Sequence, residues 1–428
     1  MRVAFITLGC KVNSYESDAI ANLFASRGAQ IVDSKDSFDA CIINTCSVTN
    51  QATAKSRKLI RSAIRTNPNA IIAVMGCYSQ MAADEIKAID GVDIVLGNAN
   101  KQEIVDLVYK KQKNNEIITK IQDILKYKTF EKLNPINFNR TRAFLKIEDG
   151  CNNFCSYCII PYTRGPLRSI KAEDVINDIN NIVANGYKEI VLTGIHTGKY
   201  YDAGLDFTGL VKRILNETKV ERLRISSIEL NEITDEFLEL MKENTILADH
   251  LHLPLQAGSN HVLKLMNRHY TREEYIEKIK QIRLVRPQIS ITTDIIVGFP
   301  EESDVDFEDT ISLCKEVQFA KIHAFPFSLR AGTKACEFKQ VSEQVKSRRM
   351  ERLLLLDQIL KEEYYKRFLN TLVDIIIEEQ IGDYLVGHSS NYLPVNIPYC
   401  PNLLGKKVTV LIQKIENDKI YGKLSSCN

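Results

Sequence analysis

The stretch Cys151-Asn152-Asn153-Phe154-Cys155-Ser156-Tyr157-Cys158 is the segment from which the rest of the chain is interpreted. Its C-x3-C-x2-C spacing brings together three soft thiolate ligands, which suit an iron–sulfur cluster or zinc. Either centre normally takes four ligands, yet no Cys or His follows Cys158 until His196. An open coordination position is typical of a reactive metal site rather than a structural one. The alternative is a zinc knuckle completed by a distant His or Cys, because spacing alone does not fix the metal.

This run resembles the signature of the radical S-adenosylmethionine enzymes, in which three cysteines hold a [4Fe–4S] cluster. In that superfamily the amino acid end of S-adenosylmethionine binds the fourth iron. An aromatic residue usually precedes the third cysteine, as Tyr157 does here. The resemblance implies that Cys151, Cys155 and Cys158 are catalytic cluster ligands and that Tyr157 lies at the cofactor. It also implies reductive cleavage of the cofactor to a 5′-deoxyadenosyl radical, which takes hydrogen from unactivated carbon as no side-chain acid or base can.

Length and composition limit the class of protein. A chain of 428 residues is too long for one ordinary core, so two or three domains are expected. The net charge of +2 means that any RNA binding must come from local patches. The 11 cysteines indicate metal ligands in a reducing compartment rather than a disulfide scaffold. The N-terminal apolar run is too short for a signal peptide, and no stretch approaches the about 20 apolar residues of a membrane span, so we expect a cytoplasmic protein with no membrane partner.

Three apolar runs near the N-terminus each end in a cysteine. They cover residues 3–10, 40–46 and 70–77. Short β-branched runs separated by helical segments at 17–27 and 52–65 predict buried parallel strands. The carboxyl ends of such strands share one edge, so Cys10, Cys46 and Cys77 are predicted to meet there. Cys41 lies at a strand start and is predicted to pack as a small hydrophobe. The alternative is three unrelated buried cysteines.

The residues around these cysteines resemble the N-terminal domain of the methylthiotransferases. The matching sequences are Leu8-Gly9-Cys10-Lys11-Val12-Asn13-Ser14-Tyr15-Glu16-Ser17, Asn44-Thr45-Cys46-Ser47-Val48-Thr49 and Val74-Met75-Gly76-Cys77-Tyr78. In that family the three cysteines hold an auxiliary [4Fe–4S] cluster, which carries the sulfur that is methylated and inserted into the substrate. The resemblance therefore implies that Cys10, Cys46 and Cys77 are metal ligands.

The residues after the first cysteine distinguish branches of that family. The sequence Cys10-Lys11-Val12-Asn13 resembles the branch acting on N6-threonylcarbamoyladenosine in tRNA. The isopentenyladenosine branch usually shows Gln-Met-Asn at this place, and the ribosomal-protein branch Pro-Lys-Asn. The loop carrying Lys11, Val12 and Asn13 follows a cluster ligand, so we expect it to border the substrate base.

The central part of the chain alternates strand-like and helical runs, which predicts an open barrel or a strongly curved parallel sheet. The six strand-like runs are 143–147, 189–193, 222–226, 250–254, 290–297 and 321–325. Thr271-Arg272-Glu273-Glu274 forms a capping box for one intervening helix. The superfamily resemblance favours a partial (β/α)6 barrel.

Polar or glycine-rich motifs follow these strands, at the edge where barrel enzymes place their chemistry. They resemble the cofactor-binding edge of the methylthiotransferases, and ordinary turn chemistry is the alternative. The residues that the resemblance implies as cofactor contacts are Thr193, Gly194, Glu229, Gln256, Asp294 and Gly298. His252 is predicted to be a core or polar neighbour rather than a ligand. Glu301 and Leu230 stand where the family usually has Gly and Pro, departures that concern loop geometry.

Beyond Asn370, short strand-like runs predict a five-stranded barrel, which resembles the RNA-binding TRAM domain. Residues 371–428 carry five Lys and six Asp or Glu, which argues against a strong electrostatic footprint on RNA. Three tyrosines there either stack bases or fill the barrel. They are Tyr384, Tyr392 and Tyr399. Four basic residues of the preceding amphipathic segment, and the lysines of the connector, either contact a phosphate backbone or are simply solvated. The four are Lys346, Arg348, Arg349 and Arg352.

These features predict an α/β protein with four regions. They are an open parallel α/β methylthiotransferase domain at 1–115, a connector at 116–139, a radical S-adenosylmethionine partial barrel at 140–369, and a TRAM-like β-barrel at 370–428. The activity implied is transfer of a methylthio group to C2 of N6-threonylcarbamoyladenosine, 3′ to the anticodon in tRNA. It requires two [4Fe–4S] clusters, S-adenosyl-L-methionine and an electron donor such as flavodoxin or ferredoxin. The alternatives are methylthiolation of isopentenyladenosine or of a ribosomal protein and, from another class, a zinc-stabilised RNA-binding protein without turnover.

Overall fold

The computed structural model describes residues 1–114 and 116–425. The predicted boundary at 115 and the last three residues of the predicted C-terminal barrel lie outside the described residues. Within these two ranges, no helix has the combination of length and apolar character needed to cross a membrane.

The N-terminal sheet is six-stranded and parallel, with strand order β2-β1-β3-β4-β5-β6. Its strands are β1 (Arg2–Thr7), β2 (Gln30–Val32), β3 (Ala40–Thr45), β4 (Ile71–Gly76), β5 (Ile94–Leu96) and β6 (Ile118–Lys120). Its helices are α1 (Lys11–Ser26), α2 (Asn50–Thr66), α3 (Cys77–Met81), α4 (Ala83–Lys87) and α5 (Glu103–Lys110). Apolar clusters cover both faces, and Cys41 is fully buried in one of them, which confirms its predicted packing role.

Two details of this sheet differ from the sequence-based expectation. Strand β6 lies inside the segment predicted as a connector, because three residues after the polar stretch at 110–115 pair with β5. Helices α1 and α2 begin earlier than predicted, immediately after Cys10 and Thr49. The Thr49 side chain accepts a hydrogen bond from the Ala52 N–H at 3.1 Å and so caps the first turn of α2.

The central region has ten strands, of which six form the partial barrel. The strands are β7 (Arg142–Lys146), β8 (Glu148–Asp149), β9 (Arg168–Ser169), β10 (Glu189–Thr193), β11 (Tyr201–Asp202), β12 (Leu205–Asp206), β13 (Arg222–Ile225), β14 (His250–His252), β15 (Ser290–Val297) and β16 (Lys321–Pro326). The helices are α6 (Ile160–Arg164), α7 (Ala172–Ala184), α8 (Phe207–Glu217), α9 (Asp235–Glu243), α10 (Asn260–Leu265), α11 (Arg272–Val285), α12 (Asp304–Val317) and α13 (Glu343–Lys366). Short 3₁₀ helices cover Ile124–Lys126, Thr197–Lys199, Leu230–Glu232 and Lys334–Glu337.

Two parallel sheets, β7-β10-β13 and β14-β15-β16, join to make the partial barrel. The junction is a parallel bridge in which the Leu223 N–H donates to the Ile246 carbonyl and the Ala248 N–H to the Leu223 carbonyl, both at 2.9 Å. The six strands therefore run side by side in chain order, which confirms the predicted partial (β/α)6 barrel. The capping box of α11, formed by Thr271 and Glu274, is also confirmed.

The C-terminal barrel is closed and five-stranded, as predicted, with strand order β17-β18-β19-β21-β20. Its strands are β17 (Leu372–Ile381), β18 (Tyr384–Ser389), β19 (Pro394–Pro398), β20 (Lys407–Glu416) and β21 (Lys419–Leu424). It has its own apolar core, which includes Tyr364 near the end of α13 and Phe368 just beyond that helix. Helix α13 therefore connects the partial barrel to the C-terminal barrel through a shared core.

The loop after β18 closes the end of the partial barrel where its strands begin. Arg224 donates to the Ser389 carbonyl at 3.1 Å and to the Ser390 carbonyl at 3.0 Å. Its guanidinium carbon lies 4.6 Å from the ring centre of Tyr392, whose hydroxyl accepts from Arg142 at 2.8 Å. Neither predicted role of Tyr392 is therefore correct, because its ring packs on two arginines at the domain interface. Tyr384 and Tyr399 are exposed.

We predict that Tyr392→Ala destabilises the protein, whereas the exposed Tyr399→Ala does not. The first change removes two cation–π contacts and one charge-assisted hydrogen bond, which together contribute about 2 kcal/mol. We expect the midpoint of thermal unfolding to fall by several degrees for Tyr392→Ala and to stay unchanged for its control. Equal midpoints for the two variants would contradict the interface described here.

Deleting the chain after Asn370 would leave Arg222 and Arg224 without their carbonyl acceptors, so that deletion is not a clean test of RNA binding.

Candidate functional site

The N-terminal thiols, Cys10, Cys46 and Cys77, lie together at the carboxyl edge of the N-terminal sheet. Cys46 and Cys77 directly follow β3 and β4, and Cys10 lies three residues beyond the end of β1. Gly9 has a φ of +102°, and a Cβ there would lie 3.2 Å from the Cys46 sulfur, so the first and second thiol loops are in contact. Burial and the nearby Cys77 and Cys10 thiols raise the pKa of Cys46 to about 11. A thiolate at this position therefore needs a positive partner, which a metal centre provides.

A buried charge network holds the N-terminal thiols against the partial barrel. Arg164, fully buried on α6, donates to the Asn13 side-chain oxygen at 2.6 Å and to Glu16 at 2.9 Å. Asn13 in turn donates to the carbonyls of Leu8 and Thr45, at 2.7 and 3.1 Å, next to two of the three cysteines. Arg164 of the partial barrel thus helps to fix the geometry of the thiol loops.

The same network contains further buried charges. Glu16 forms an ion pair with Lys101 at 2.7 Å and accepts a hydrogen bond from Lys146 at 3.3 Å. Sequence reasoning missed this network, because its members are drawn from separate regions and share no local motif. Arg164 and Glu16, for example, are 148 residues apart.

The central thiols, Cys151, Cys155 and Cys158, lie in the loop between β8 and α6, and all three are partly buried. Burial and the neighbouring Cys155 and Cys151 thiols raise the pKa of Cys158 to about 12. His196 Nδ1 lies 3.7 Å from the Cys151 sulfur, and its Nε2 lies 2.5 Å from Glu232. An Arg268 nitrogen lies 3.8 Å from the Cys155 sulfur. The loop therefore brings its three sulfurs together, as its spacing predicted.

A cavity of about 220 Å³, called the main cavity below, lies between the two sets of thiols. Its lining residues are Val48, Thr49, Tyr157, Cys158, Ile159, Ile160, Gln256, Asp294, Ile296, Phe325, Pro326, Phe327 and Ser328. Val48 and Thr49 come from the loop that carries Cys46, whereas Tyr157 and Cys158 belong to the central loop. A molecule in this cavity would therefore lie close to both sets of thiols.

The predicted cofactor contacts divide into two groups. Tyr157, Gln256 and Asp294 line the main cavity. Glu229 lines a second cavity, of about 230 Å³, together with Cys155 and Arg268, and it forms an ion pair with Arg268. These four residues therefore line cavities that border the central thiols.

The other three predicted contacts line neither cavity, because each packs against a neighbouring side chain. The Thr193 hydroxyl lies 3.3 Å from that of Ser226. A Cβ on Gly194 would lie 2.8 Å from a Glu148 oxygen. Gly298 has a φ of +70°, and a Cβ there would lie 2.3 Å from Lys346 Cγ, so this glycine allows α13 to approach the end of β15. His252 lies 3.3 Å from Asp294, as the polar neighbour it was predicted to be.

Each of the two sites offers three thiols, a donor set that suits an iron–sulfur cluster. Among residues 1–114 and 116–425, no group of three or more His, Cys, Asp or Glu side chains is arranged to hold one metal ion. A cluster holds its thiolates farther apart than a zinc ion, whose bonds to sulfur are about 2.3 Å long. All six sulfurs are free thiols.

Lys11 is a cation at the junction of the N-terminal sheet and the partial barrel. It is partly buried at the start of α1, next to Cys10. Burial, Arg224 and Arg142 lower its pKa to about 8, and Asp294 partly opposes them. Both arginines already have carboxylate partners, Glu189 and Glu378. Within the described part of the chain, Lys11 has no ion-pair partner.

Comparison with known proteins adds two family matches. The model described as Radical SAM superfamily matches residues 145–314, and the one described as Uncharacterized protein family UPF0004 matches residues 2–97. The first match contains the central thiols, and the second contains the N-terminal thiols. The two matches therefore coincide with the two sides of the main cavity.

Two similar relatives have names that describe an activity. The threonylcarbamoyladenosine tRNA methylthiotransferase MtaB of Bacillus subtilis (strain 168) is 43% identical over 424 residues, covering 96% of this chain and 94% of that protein. The tRNA-2-methylthio-N(6)-dimethylallyladenosine synthase of Clostridium botulinum is 33% identical over 431 residues, covering 97% of this chain and 95% of that protein.

One solved structure shares the fold. The radical S-adenosylmethionine methyltransferase TsrM from Kitasatospora setae, solved with cobalamin and a [4Fe–4S] cluster, superposes with a TM-score of 0.55. It is 13% identical, and the match covers 78% of this chain and 76% of that one. At this identity the likeness concerns the fold alone.

Proposed function

The chain belongs to the radical S-adenosylmethionine methylthiotransferase family and is a tRNA methylthiotransferase, and from this premise we propose that its substrate is N6-threonylcarbamoyladenosine, 3′ to the anticodon. The product would carry a methylthio group at C2 of that base. The name of the Bacillus subtilis relative supports this choice. The name of the Clostridium botulinum relative keeps isopentenyladenosine as the competing substrate.

We assign one [4Fe–4S] cluster to the central thiols and an auxiliary cluster to the N-terminal thiols. When bound, the clusters and S-adenosylmethionine supply the radical that removes the C2 hydrogen and the sulfur and methyl group that replace it. The main cavity fits this scheme, because Cys158 and the loop that carries Cys46 both border it. Tyr157, Gln256 and Asp294 would orient the molecules bound there and exclude water. An electron donor such as flavodoxin or ferredoxin would be required.

The position of Lys11 is the observation that favours threonylcarbamoyladenosine over isopentenyladenosine as the substrate. The threonylcarbamoyl group ends in a carboxylate, whereas the isopentenyl group is neutral and apolar. A partly buried cation without a partner stabilises a bound carboxylate and disfavours an apolar group, which would leave the charge unpaired. Lys11 lies at the start of α1, directly after Cys10, and Asp294, one of the charges that act on it, lines the main cavity. A buried polar group that the wrong substrate leaves unpaired can lower kcat/KM for that substrate by a large factor.

We predict that Lys11→Met lowers kcat/KM for an anticodon stem-loop carrying threonylcarbamoyladenosine by roughly 10- to 100-fold. This range corresponds to the loss of one hydrogen bond to a charged group, worth about 1.5–3 kcal/mol. Lys11→Arg keeps the charge and should recover most of the loss. The iron content and the 5′-deoxyadenosine formed without RNA should be unchanged in both variants. If Lys11→Met discriminated between the threonylcarbamoyladenosine and isopentenyladenosine stem-loops as the wild type does, Lys11 would not be a recognition residue.

The proposal is tested by comparing substrates with the wild-type enzyme. The set is a stem-loop with threonylcarbamoyladenosine, one with isopentenyladenosine, one with the cyclised threonylcarbamoyl group that lacks a free carboxylate, and the ribosomal protein. Turnover on the first alone supports the proposal. Equal or better turnover on isopentenyladenosine or the ribosomal protein would overturn the substrate assignment. Equal turnover on the cyclised form would show that the carboxylate is not what the enzyme recognises.

A further inference from the structure

Among the long helices of the described residues, α2 is the one whose charged side chains are all basic, whereas those of α7 are all acidic. It carries five Lys or Arg residues and no Asp or Glu between Asn50 and Thr66. By contrast, α11 carries four basic and three acidic residues, and α13 carries six basic and five acidic residues. A solvated helix face normally mixes the two signs, since pairs four residues apart then stabilise it. A helix whose charged side chains are all positive is typical of a surface that binds an anionic partner.

Four of these cations form one exposed face, called the α2 stripe below. They are Lys55, Lys58, Arg61 and Arg65. Their spacing of three or four residues places them on one side of the helix, opposite the buried residues Thr53, Ser56, Ile60 and Ala63. At a rise of 1.5 Å per residue the stripe is about 15 Å long, enough to follow several successive phosphates of one strand.

The stripe carries unmatched charge. Within the described residues, only Arg57 among the five cations of α2 forms an ion pair, with Glu85 at 3.4 Å. The other basic candidates considered from the sequence are matched by carboxylates. In α13, Arg349 pairs with Glu302 at 2.6 Å and Arg352 with Glu308 at 2.5 Å, so the phosphate contacts considered for these residues are not supported. Arg348 and Lys346 of the same helix also pair, with Asp304 and Glu343.

The connector and the C-terminal barrel carry less unmatched positive charge than the α2 stripe. Several lysines of the connector region pair with nearby carboxylates, for example Lys120 with Glu103 at 2.6 Å and Lys132 with Asp174 at 2.8 Å. The C-terminal barrel has more acidic than basic residues. The α2 stripe is therefore the stronger electrostatic candidate for contact with a nucleic acid.

The stripe begins beside the main cavity. Thr49, which caps α2, lines that cavity. The first turn is fixed to the partial barrel, because Asn50 N–H donates to the Ser328 hydroxyl at 3.0 Å and Arg330 donates to the Asn50 side chain at 3.0 Å. Exposed apolar side chains, Val48 and Phe325, lie at the same cavity and offer a surface to an unstacked base. A strand that follows the stripe would therefore arrive at the cavity.

We propose that the α2 stripe binds the phosphate backbone of the anticodon arm and thereby delivers the modified adenine to the main cavity. This inference rests on tRNA being the substrate and goes beyond the choice of the modified base. Contacts of this kind position the RNA without reading its sequence. They therefore act equally on stem-loops with and without the threonylcarbamoyl group, which separates this role from that of Lys11.

The test measures Kd for an anticodon stem-loop across a series of monovalent salt concentrations. The test variant replaces Lys55, Lys58, Arg61 and Arg65 with Gln. Each lost phosphate contact lowers the slope of log Kd against log salt by about 0.7–0.9, so the slope should fall by roughly 3. We expect binding to weaken by about tenfold or more near 0.15 M salt. The matched control replaces four exposed lysines on the outer side of the partial barrel and should change the slope little; these are Lys212, Lys219, Lys280 and Lys315.

Iron content and RNA-independent 5′-deoxyadenosine formation report whether the variants are folded. Should the fourfold variant lose iron, the pair Arg61→Gln/Arg65→Gln, farthest along α2 from Cys46, is measured instead, with an expected fall in slope of roughly 1.5. A stripe variant whose Kd and slope match those of the control would overturn the inference. Equal wild-type affinity and turnover for modified and unmodified stem-loops would instead refute the proposed substrate and leave the stripe standing.

Discussion

Replacing Cys151, Cys155 and Cys158 with Ala is expected to halve the iron bound by the chain and to abolish formation of 5′-deoxyadenosine. The loss should be complete, because the other three clustered thiols lie at the end of a different sheet and can hold only one further cluster. Alanine offers no ligand to iron, so the substituted loop keeps no thiolate that could hold a cluster. The measurements are iron analysis and chromatographic detection of 5′-deoxyadenosine under reducing conditions.

The control for this triple variant removes cysteines that lie outside both sets. Cys336 and Cys400 are partly buried and belong to neither set of thiols. Their double Ala variant should retain all the iron and the full rate of cofactor cleavage. Continued cleavage of S-adenosylmethionine by the triple variant would refute the catalytic assignment of the central thiols.

Replacing Cys10, Cys46 and Cys77 with Ala is expected to separate the two halves of the reaction. The central thiols and the main-cavity residues Tyr157 and Gln256 stay in place, so 5′-deoxyadenosine should still form. The methylthiolated product should fall below detection, because no second cluster remains to supply sulfur. Iron should again fall by half. The measurements are iron analysis, 5′-deoxyadenosine and mass spectrometry of the nucleosides of the treated RNA.

Cys41→Ala is the matched control for the N-terminal set. Cys41 is fully buried in the apolar core at the opposite end of the same strand that leads to Cys46. The variant should therefore keep both clusters and activity, at a modest cost in stability from the lost packing. Loss of iron in Cys41→Ala combined with its retention in Cys46→Ala would show that the ligand has been misassigned.

The strands and the convergence of the thiols could be predicted from the sequence, for identifiable reasons. Buried parallel strands appear as continuous apolar runs, and β3 and β4 end where the runs to Cys46 and Cys77 predicted. Strand ends share an edge, which placed the N-terminal thiols together without knowledge of any contact. The start of α1 was not predicted, because Cys10 occupies its cap without a side-chain hydrogen bond and no capping motif marks the position.

Contacts between regions could not be predicted. Arg164 looks like an ordinary helix residue in sequence, yet it is fully buried and fixes Asn13 from 151 residues away. Tyr392 looks like a surface aromatic of a small barrel, and only the docking of that barrel shows it stacked on Arg224. The sequence suggests a cofactor contact at Gly298, because a glycine backbone allows close approach of either a ligand or a side chain. The structure shows that the approaching group is Lys346.

Mass spectrometry of tRNA nucleosides from cells that lack this protein tests the central proposal most directly. Total tRNA from the wild type, from the deletion strain, and from the deletion strain carrying either the intact gene or its Cys151→Ala variant would be digested and compared. We predict that 2-methylthio-N6-threonylcarbamoyladenosine disappears on deletion, that its precursor N6-threonylcarbamoyladenosine accumulates, and that only the intact gene restores the product. Persistence of the methylthiolated threonylcarbamoyl nucleoside together with loss of its isopentenyl counterpart would contradict the account.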